Sequence, residues 1–284
     1  GLLLLMEVLE RTDIASRDAT DPQSWFLFAE ASRVMYADRD RYFGDPNFVD
    51  VPIDGLLDAR YVDGRAALIG QSAAERYAPG NPVGAPAQAA DATEEPAGTT
   101  HFVVIDADGN AVSMTATVES YFGSGRMVDG FFLNNQMTDF SFSPNDNDGR
   151  AAANAVAGGK RPRSSMSPVL ILNQEGRLVG AVGSPGGNAI PAYVAKTLVG
   201  VLDWRLSMQQ AIDLPNLVAR GDAFNGEAHR FPEAVLVELA TRGIEVRRGS
   251  GEESGIHGVM LRDGGFDGGA DSRREGVARS ESVQ

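Results

Sequence analysis

A chain of 284 residues with 43% hydrophobic and 23% charged residues has the composition of an ordinary folded protein, long enough for one sizeable domain or two small ones. Its formal net charge of -14 is spread along the chain, which argues against nucleic acid as a partner because phosphate recognition needs clustered Lys and Arg. The absence of cysteine excludes disulfides, thiolate metal sites and a cysteine nucleophile, and three separated histidines (His101, His229, His257) give no histidine-rich metal centre, so neither metal nor other cofactor is expected.

Leu2–Leu9 reads as a helix already under way, with no capping residue before it, and the chain opens on Gly1 rather than methionine. It therefore reads as part of a longer protein. The apolar start Leu2–Met6 is too short to span a bilayer, and no targeting signal is visible. Asp21 is placed to cap a long helix in which Trp25, Phe26, Phe28, Ala29, Val34 and Met35 recur at helical spacing, stopped by Gly44-Asp45-Pro46. Shorter helices are predicted at Ile53–Arg60 and Gly64–Ala74. From Tyr77 to Gly98 the chain is rich in Pro, Ala, Gly and acidic residues without apolar periodicity, which predicts an exposed, mobile linker.

Two hairpins are predicted next. His101–Ile105 and Ala111–Thr117 flank the turn signal Asp106–Asn110, and Val169–Leu172 and Leu178–Val182 flank Asn173–Gly176. The polar stretch Ser143–Gly159 between them predicts a long surface loop. Helices are expected at Ala189–Leu202, Ser207–Ile212 and Pro232–Arg242, strands at Ile244–Arg247 and Gly255–Leu261, and a frayed tail from Gly264 onward. Hairpins followed by helices give the α+β class.

With no cysteine, the nucleophile of any acyl-transfer chemistry is Ser, Thr, Lys, Asp or Glu. Gly98-Thr99-Thr100-His101 lies where the linker meets a strong strand. A threonine without a neighbouring base becomes a nucleophile when it is an N-terminus, its own amine serving as base, and this requires scission of Gly98–Thr99. Glycine before it leaves the attacked carbonyl open. The plainer reading is that two β-branched residues open a strand, and on this tripeptide alone it prevails. Gly183-Ser184-Pro185-Gly186-Gly187, between a strand and a helix, offers backbone N–H groups to an oxyanion or simply makes a turn. Arg161–Pro168 offers paired hydroxyls to a carboxylate, or a polar loop. Asn134–Asp139 offers amide oxygens and a carboxylate to an ammonium, or turn chemistry.

Taken in order, Thr99–Phe102, Asp106–Asn110, Phe122–Gly125, Leu133–Phe140, Arg161–Pro168 and Gly183–Gly187 resemble the small catalytic subunit of γ-glutamyltransferases. Tyr36–Arg39 and Gly44–Pro46 before them, and Gly269–Asp271 with Arg273-Arg274 after, extend the resemblance over nearly the whole chain. It implies an N-terminal nucleophile hydrolase with an αββα sandwich, partial here because the N-terminal half of the precursor is missing. It divides the chain into the helical end of a large subunit (1–76), a linker ending at the scission (77–98) and the small catalytic subunit (99–284). It implies that Thr99 attacks the Gly98 carbonyl to separate two subunits that stay associated. Thr99 then carries a γ-glutamyl ester from glutathione or another γ-glutamyl compound to water or to an amino-acid or peptide acceptor.

The same resemblance assigns Thr117 to support the nucleophile, Gly186 and Gly187 to the oxyanion hole, Ser164 and Ser165 to the substrate α-carboxylate, and Gln136 and Asp139 to its α-amino group. Ser143–Gly159 falls where some members carry a lid. A periplasmic or secreted location is implied. Two positions depart from the family: Glu119 stands where asparagine is usual beside the amino group, and Thr138 where aspartate is common. The family's α-carboxylate-binding arginine belongs to the missing half. The alternatives are an acylase for glutaryl-cephalosporin-like or poly-γ-glutamate substrates, and an unprocessed, non-catalytic fragment.

Overall fold

The computed structural model describes residues 1–93, 98–247, 253–262 and 265–280. Helices α1 (Leu2–Glu10), α2 (Pro22–Tyr42), α3 (Ile53–Leu56) and α4 (Ala59–Ala66) come first. Strands β1 (Thr99–Ile105), β2 (Ala111–Thr117), β3 (Met127–Val128), β4 (Phe131–Phe132), β5 (Val169–Leu172) and β6 (Leu178–Gly183) follow. Then come α5 (Ile190–Leu202), α6 (Met208–Asp213), β7 (Leu217–Arg220), β8 (Ala223–Gly226), α7 (Glu233–Thr241), β9 (His257–Arg262) and β10 (Gly265–Ala270). The chain passes back and forth between two compact units. Unit 1 comprises Gly1–Glu95, Asn135–Ser164 and Leu217–Gly249; unit 2 comprises Pro96–Asn134, Ser165–Asn216 and Ser250–Gln284.

Unit 1 is organised by α2. Asp21 accepts from Gln23 N–H at 2.8 Å and Pro22 opens the first turn, a capping arrangement that satisfies an otherwise orphaned donor. Helices α1 and α7 and the β7–β8 ribbon pack against α2, so it is buried nearly all round. Burying a side chain such as Phe26, Phe28 or Val34 is worth about 1.5–3 kcal/mol each. The same helix carries the charged residues Glu30, Arg33, Asp38 and Arg39 into the interior. Glu30 pairs with Arg33 at 2.6 Å and accepts from Tyr77 Oη at 2.7 Å and Ala74 N–H at 3.0 Å. Asp38 accepts from Gly80 N–H at 2.7 Å, Tyr61 Oη at 2.9 Å and Arg65 Nε at 3.1 Å.

These bonds overturn the mobile-linker expectation over its described part. Tyr77, Gln88, Ala89 and Thr93 are buried, and Ala89 bridges Ala152. Buried charges on α2 need partners, and the main chain and tyrosine of this segment supply them. Residues 94–97 of the linker lie outside the described residues. The 143–159 loop is exposed only in part: its tip is a turn closed by Asp146 and Arg150, but Ala152, Ala153 and Asn154 are buried. Asp58 caps α4 by accepting from Arg60 and Tyr61 N–H, so the break between the two short helices falls earlier than predicted. Ile244–Arg247 forms no strand; Arg247 alone bridges Asn225.

Unit 2 is built on antiparallel ladders. The β1–β2 hairpin turns at Asp106, whose carboxylate accepts from Asp108 and Asn110 N–H, as the sequence predicts. The four-stranded sheet runs β10-β9-β6-β5. Alternation sends Gly183 and His257 toward the hairpin, where a Cβ at Gly183 would strike the His101 ring. It sends Gly258 the other way, against Met208 of α6. The β6 segment, buried on both faces, accordingly reads as small apolar residues rather than alternating polarity. Helices α5 and α6 cover the face opposite the hairpin, so unit 2 shows the ββα part of the αββα order.

The frayed tail expected from Gly264 does not begin at Gly265. Residues Gly265–Ala270 form β10 and complete the sheet, and Asp271 beyond them is buried. Its carboxylate accepts from Ser254 Oγ at 2.5 Å, Ile256 N–H at 3.2 Å and Arg273 N–H at 3.0 Å. Burial would raise this carboxyl's pKa, but the Ser254 bond and the Arg273 charge outweigh it and hold it below the ordinary value. Gly264 itself and residues 281–284 lie outside the described residues.

Candidate active site

Thr99 is the first residue of β1, 8% exposed, and its register partner across the hairpin is Thr117. Period-two alternation turns both hydroxyls to the same face, with Thr99 Oγ1 donating to Thr117 Oγ1 at 3.2 Å. Thr117 Oγ1 also accepts from Glu119 N–H at 2.8 Å. That bond accompanies a left-handed backbone at Glu119 (φ 76°), a conformation costing a non-glycine residue about 1–3 kcal/mol. Glu119 is buried, 5% exposed.

Gly98 completes the cluster. Its φ is 154°, and a Cβ there would lie 2.2 Å from the Glu119 carbonyl oxygen and 2.5 Å from the Ser120 carbonyl carbon. Only glycine lets the chain pass so close to that backbone. Gly98, Thr99, Thr117 and Glu119 thus meet at one end of the hairpin.

Behind Thr99 stands Arg274, which in the sequence is only one of two adjacent arginines near the end of the chain. Arg274 donates from Nη1 to the Thr99 carbonyl at 3.1 Å and from Nη2 to the Glu253 carbonyl at 2.8 Å. An arginine just past a buried Asp271–Arg273 pair was the available signal, but its target is 175 residues away. Arg274 and Pro185 also crowd Gly255, where a Cβ would stand 2.8 Å from each.

The Gly186-Gly187 turn opens the 3₁₀ turn Gly187–Ala189 that leads into α5. Gly186 adopts φ 139° and its missing Cβ would lie 2.6 Å from the Tyr193 ring, while Gly187 has φ 52°. Both need glycine, and both offer N–H groups at the start of helical structure, where the backbone attracts negative charge. Ser184, fully buried, donates to the Pro185 carbonyl at 2.6 Å.

Two residues further along β1 lies His101, 3% exposed, its Nδ1 within 2.8 Å of Thr115 Oγ1. Its Nε2 is buried without a hydrogen-bond partner. Burial, and secondarily the neighbouring His257, push its pKa down to about 4, so the ring is neutral at pH 7.

The proposed substrate-binding residues divide between the units. In unit 1, Gln136 and Asp139 face each other within one 3₁₀ turn, Gln136 Nε2 donating to Asp139 Oδ2 at 2.7 Å. Asp139 is 3% exposed. Ser164, exposed, ends that unit's loop; Ser165, buried, begins the next segment of unit 2 and accepts at its carbonyl from Ser167 Oγ at 2.9 Å. Among the described residues no three His, Asp or Glu side chains gather as metal ligands, and no helix is long and apolar enough to cross a membrane.

The γ-glutamyltranspeptidase family model matches residues 2–280. The chain belongs to this family. It is 33% identical over 289 aligned residues to the glutathione hydrolase proenzyme of Bacillus subtilis strain 168, covering 98% of this chain and 48% of that protein. It is 34% identical over 276 residues to the acylase ACY 1 proenzyme of Pseudomonas sp. strain SE83, covering 96% of this chain and 46% of that one. Among solved structures, the γ-glutamyltranspeptidase from Pseudomonas nitroreducens in complex with L-DON superposes with a TM-score of 0.58 at 31% identity. That match covers 64% of this chain and all of the solved one. The fold is that of the family's N-terminal nucleophile hydrolases, and the chain spans about half the length of the curated relatives it matches.

Proposed function

We propose that this chain is the C-terminal part of a self-processing γ-glutamyltransferase precursor in which Thr99 is the nucleophile of both scission and turnover. The observation that carries the reading is the Thr99–Thr117 hydroxyl pair at the start of β1, immediately after a glycine whose Cβ would collide with the Glu119 and Ser120 backbone. Thr99 Oγ1 attacks the Gly98 carbonyl carbon, and the Gly98–Thr99 C–N bond breaks to give an ester and a free Thr99 amine. Water hydrolyses the ester, leaving a Gly98 carboxylate and restoring the hydroxyl. The freed amine then takes the proton as Oγ1 attacks a γ-glutamyl carbonyl.

Each remaining residue has a physical task in this scheme. Thr117 orients the nucleophile. Gly186 and Gly187 N–H groups receive the oxyanion. Gln136 and Asp139 accept from the substrate ammonium, with Glu119 adding a carboxylate, while Ser164 and Ser165 donate to its carboxylate. Glutathione and other γ-glutamyl compounds are the donors, and water or an amino-acid or peptide amine takes the acyl group. A large subunit from the same precursor, ending at Gly98, and a periplasmic or secreted location complete the proposal.

The extent of the solved-structure match supports the boundary. Residues 99–284 make up about 65% of the chain, close to the 64% that a complete solved chain covers. The decisive experiment is intact mass and N-terminal sequencing of the full-length precursor, wild type against Thr99→Ala. A new N-terminus at Thr99, absent from the variant, is expected; one uncleaved chain in both would refute the scheme. The acylase relative keeps one second reading in play, hydrolysis of a glutaryl-type amide, which has no ammonium for the Glu119 carboxylate to meet. Comparison of γ-glutamyl and glutaryl p-nitroanilides separates the two, with the γ-glutamyl compound expected to be preferred because an ammonium meets three acceptors.

A further inference from the structure

Gly44-Asp45-Pro46 reads in the sequence as the stop of α2 and nothing more, yet Asp45 is buried and its carboxylate is engaged by a residue 116 positions away. Asp45 Oδ2 accepts from the Arg161 main-chain N–H at 2.9 Å and from Arg161 Nε at 3.2 Å, while Oδ1 accepts from Arg161 Nη2 at 2.9 Å. A two-pronged guanidinium contact fixes direction as well as distance. Oδ1 also accepts from Asn47 N–H at 3.1 Å, so the turn that carries the carboxylate also holds it in place. The exposure is lopsided: the Asp45 side chain is 1% exposed and that of Arg161 is 70% exposed. A buried carboxylate thus grips the main chain of an exposed loop, three residues before Ser164.

The neighbouring contacts stiffen the same loop. A Cβ on Gly44 would stand 2.4 Å from the Ala153 carbonyl oxygen, and Lys160 Nζ donates to that oxygen at 2.7 Å. Between Arg161 and Ser164, Pro162 has a fixed φ and Arg163 N–H donates to Asn154 Oδ1 at 2.8 Å. All these residues belong to unit 1. Helix α2 is itself tied to the part of unit 1 that follows α6. Arg33 Nε donates to the Gly221 carbonyl at 2.7 Å, Arg220 Nε to Asp40 at 2.8 Å, and the Arg242 guanidinium lies 3.3 Å from the centre of the Phe26 ring. The support under Asp45 therefore does not run through residues 77–98.

We propose that Asp45 is a positioning residue of the carboxylate-binding loop: through Arg161 it sets where Ser164 presents its hydroxyl to the α-carboxylate of the γ-glutamyl donor. The inference rests on the role proposed above for Ser164. Under the proposed scission Asp45 falls in the large subunit and Arg161 in the small one, so one subunit holds a binding loop of the other.

The test uses the processed enzyme from the full-length precursor, with Asp45→Asn, Arg161→Lys, Arg161→Met and the Asp45→Asn/Arg161→Met double variant. Hydrogen exchange at the Arg161 and Arg163 amides reads the hold without reference to turnover. The kinetic readouts are kcat and KM for γ-glutamyl-p-nitroanilide, and the inhibition constant of 4-aminobutanoyl anilide, which keeps the ammonium and lacks the α-carboxylate. Asp45→Asn and Arg161→Met are expected to speed exchange at both amides at least several-fold. They should raise KM about tenfold, as for the loss of one hydrogen bond to a charged group, with kcat and the inhibition constant within about twofold of wild type. Arg161→Lys, which keeps the charge and loses the fork, should fall between, and the double variant should be no worse than the poorer single one. Equal losses for the two ligands, additive effects in the double variant, or unchanged exchange would each overturn the proposal. Should Asp45→Asn fail to fold, Arg161→Lys, altered at an exposed side chain, decides on the same readouts. A wild type without γ-glutamyl turnover refutes the function proposed above, and the role of Ser164 falls with it. Normal turnover with exchange and KM unchanged in every variant removes Asp45 from the site and leaves that function standing.

Discussion

Gly98 approaches the Glu119 and Ser120 backbone so closely that a methyl group would overlap it, and its φ of 154° is one an alanine rarely adopts. Gly98→Ala must therefore shift the carbonyl of the proposed scission relative to Thr99 or strain the turn by about 1–3 kcal/mol. Scission is expected to slow about tenfold or more, read as the rate at which a Thr99 N-terminus appears; an unchanged rate would mean the turn yields freely. His101 makes a separate prediction. Its folded pKa of about 4 lies below the ordinary 6.5, so the unfolded chain binds the proton more readily than the folded one. Stability is then full above pH 6.5 and declines as pH falls toward 4, by at most about 3 kcal/mol. Denaturant midpoints between pH 7 and 4 measure the slope. His101→Gln should flatten it, and an identical slope in the variant would assign it to the carboxylates.

Helix α2 shows what an element demands of its surroundings. Glu30 at 0% and Arg33 at 2% exposure form a buried pair whose other bonds come from outside the helix, among them Arg33 Nε to the Gly221 carbonyl at 2.7 Å and Arg33 Nη2 to the Glu75 carbonyl at 3.0 Å. Glu30→Ala leaves the guanidinium uncompensated in the interior and is expected to destabilise unit 1 by about 3–5 kcal/mol. A thermal or urea melt measures it, and a loss below about 1 kcal/mol would show that water reaches the site. Proteolysis between Tyr77 and Thr93 should quicken in the same variant, since Glu30 also holds Tyr77 Oη and Ala74 N–H.

For the chain as a whole, apolar exposure is the property with a measurable consequence. On the outward face of the β1–β2 hairpin, Phe102, Val104, Val112 and Met114 are 43–54% exposed, and Phe122 and Phe131 nearby in sequence are 65% and 75% exposed. Contiguous apolar surface of this kind marks an interface or causes association. The 284-residue chain on its own is expected to bind a hydrophobic dye and to self-associate at micromolar concentration. Val104→Thr with Met114→Thr should reduce both without lowering the melting temperature. A monodisperse monomer that binds no dye would contradict this.

Both hairpins, the capped start of α2 and the residues around Thr99 were legible because each depends on a few adjacent side chains: Asp106 closing its own turn, Asp21 accepting from Gln23 N–H, and threonines alternating along a strand. The family resemblance rests on the same short segments. Three features were decided only by the tertiary structure: the pinning of the segment after Tyr77, the ordered β10 with Arg274 behind Thr99, and the burial of Asn154 in a loop of surface composition. In each, a buried polar group finds its partner at a distance that local periodicity does not sample, from Tyr77 to Glu30 across 47 residues to Arg274 and Thr99 across 175. Composition tells which residues avoid regular structure. Whether such a stretch is loose or held depends on which buried donors and acceptors the rest of the fold has left for it to satisfy.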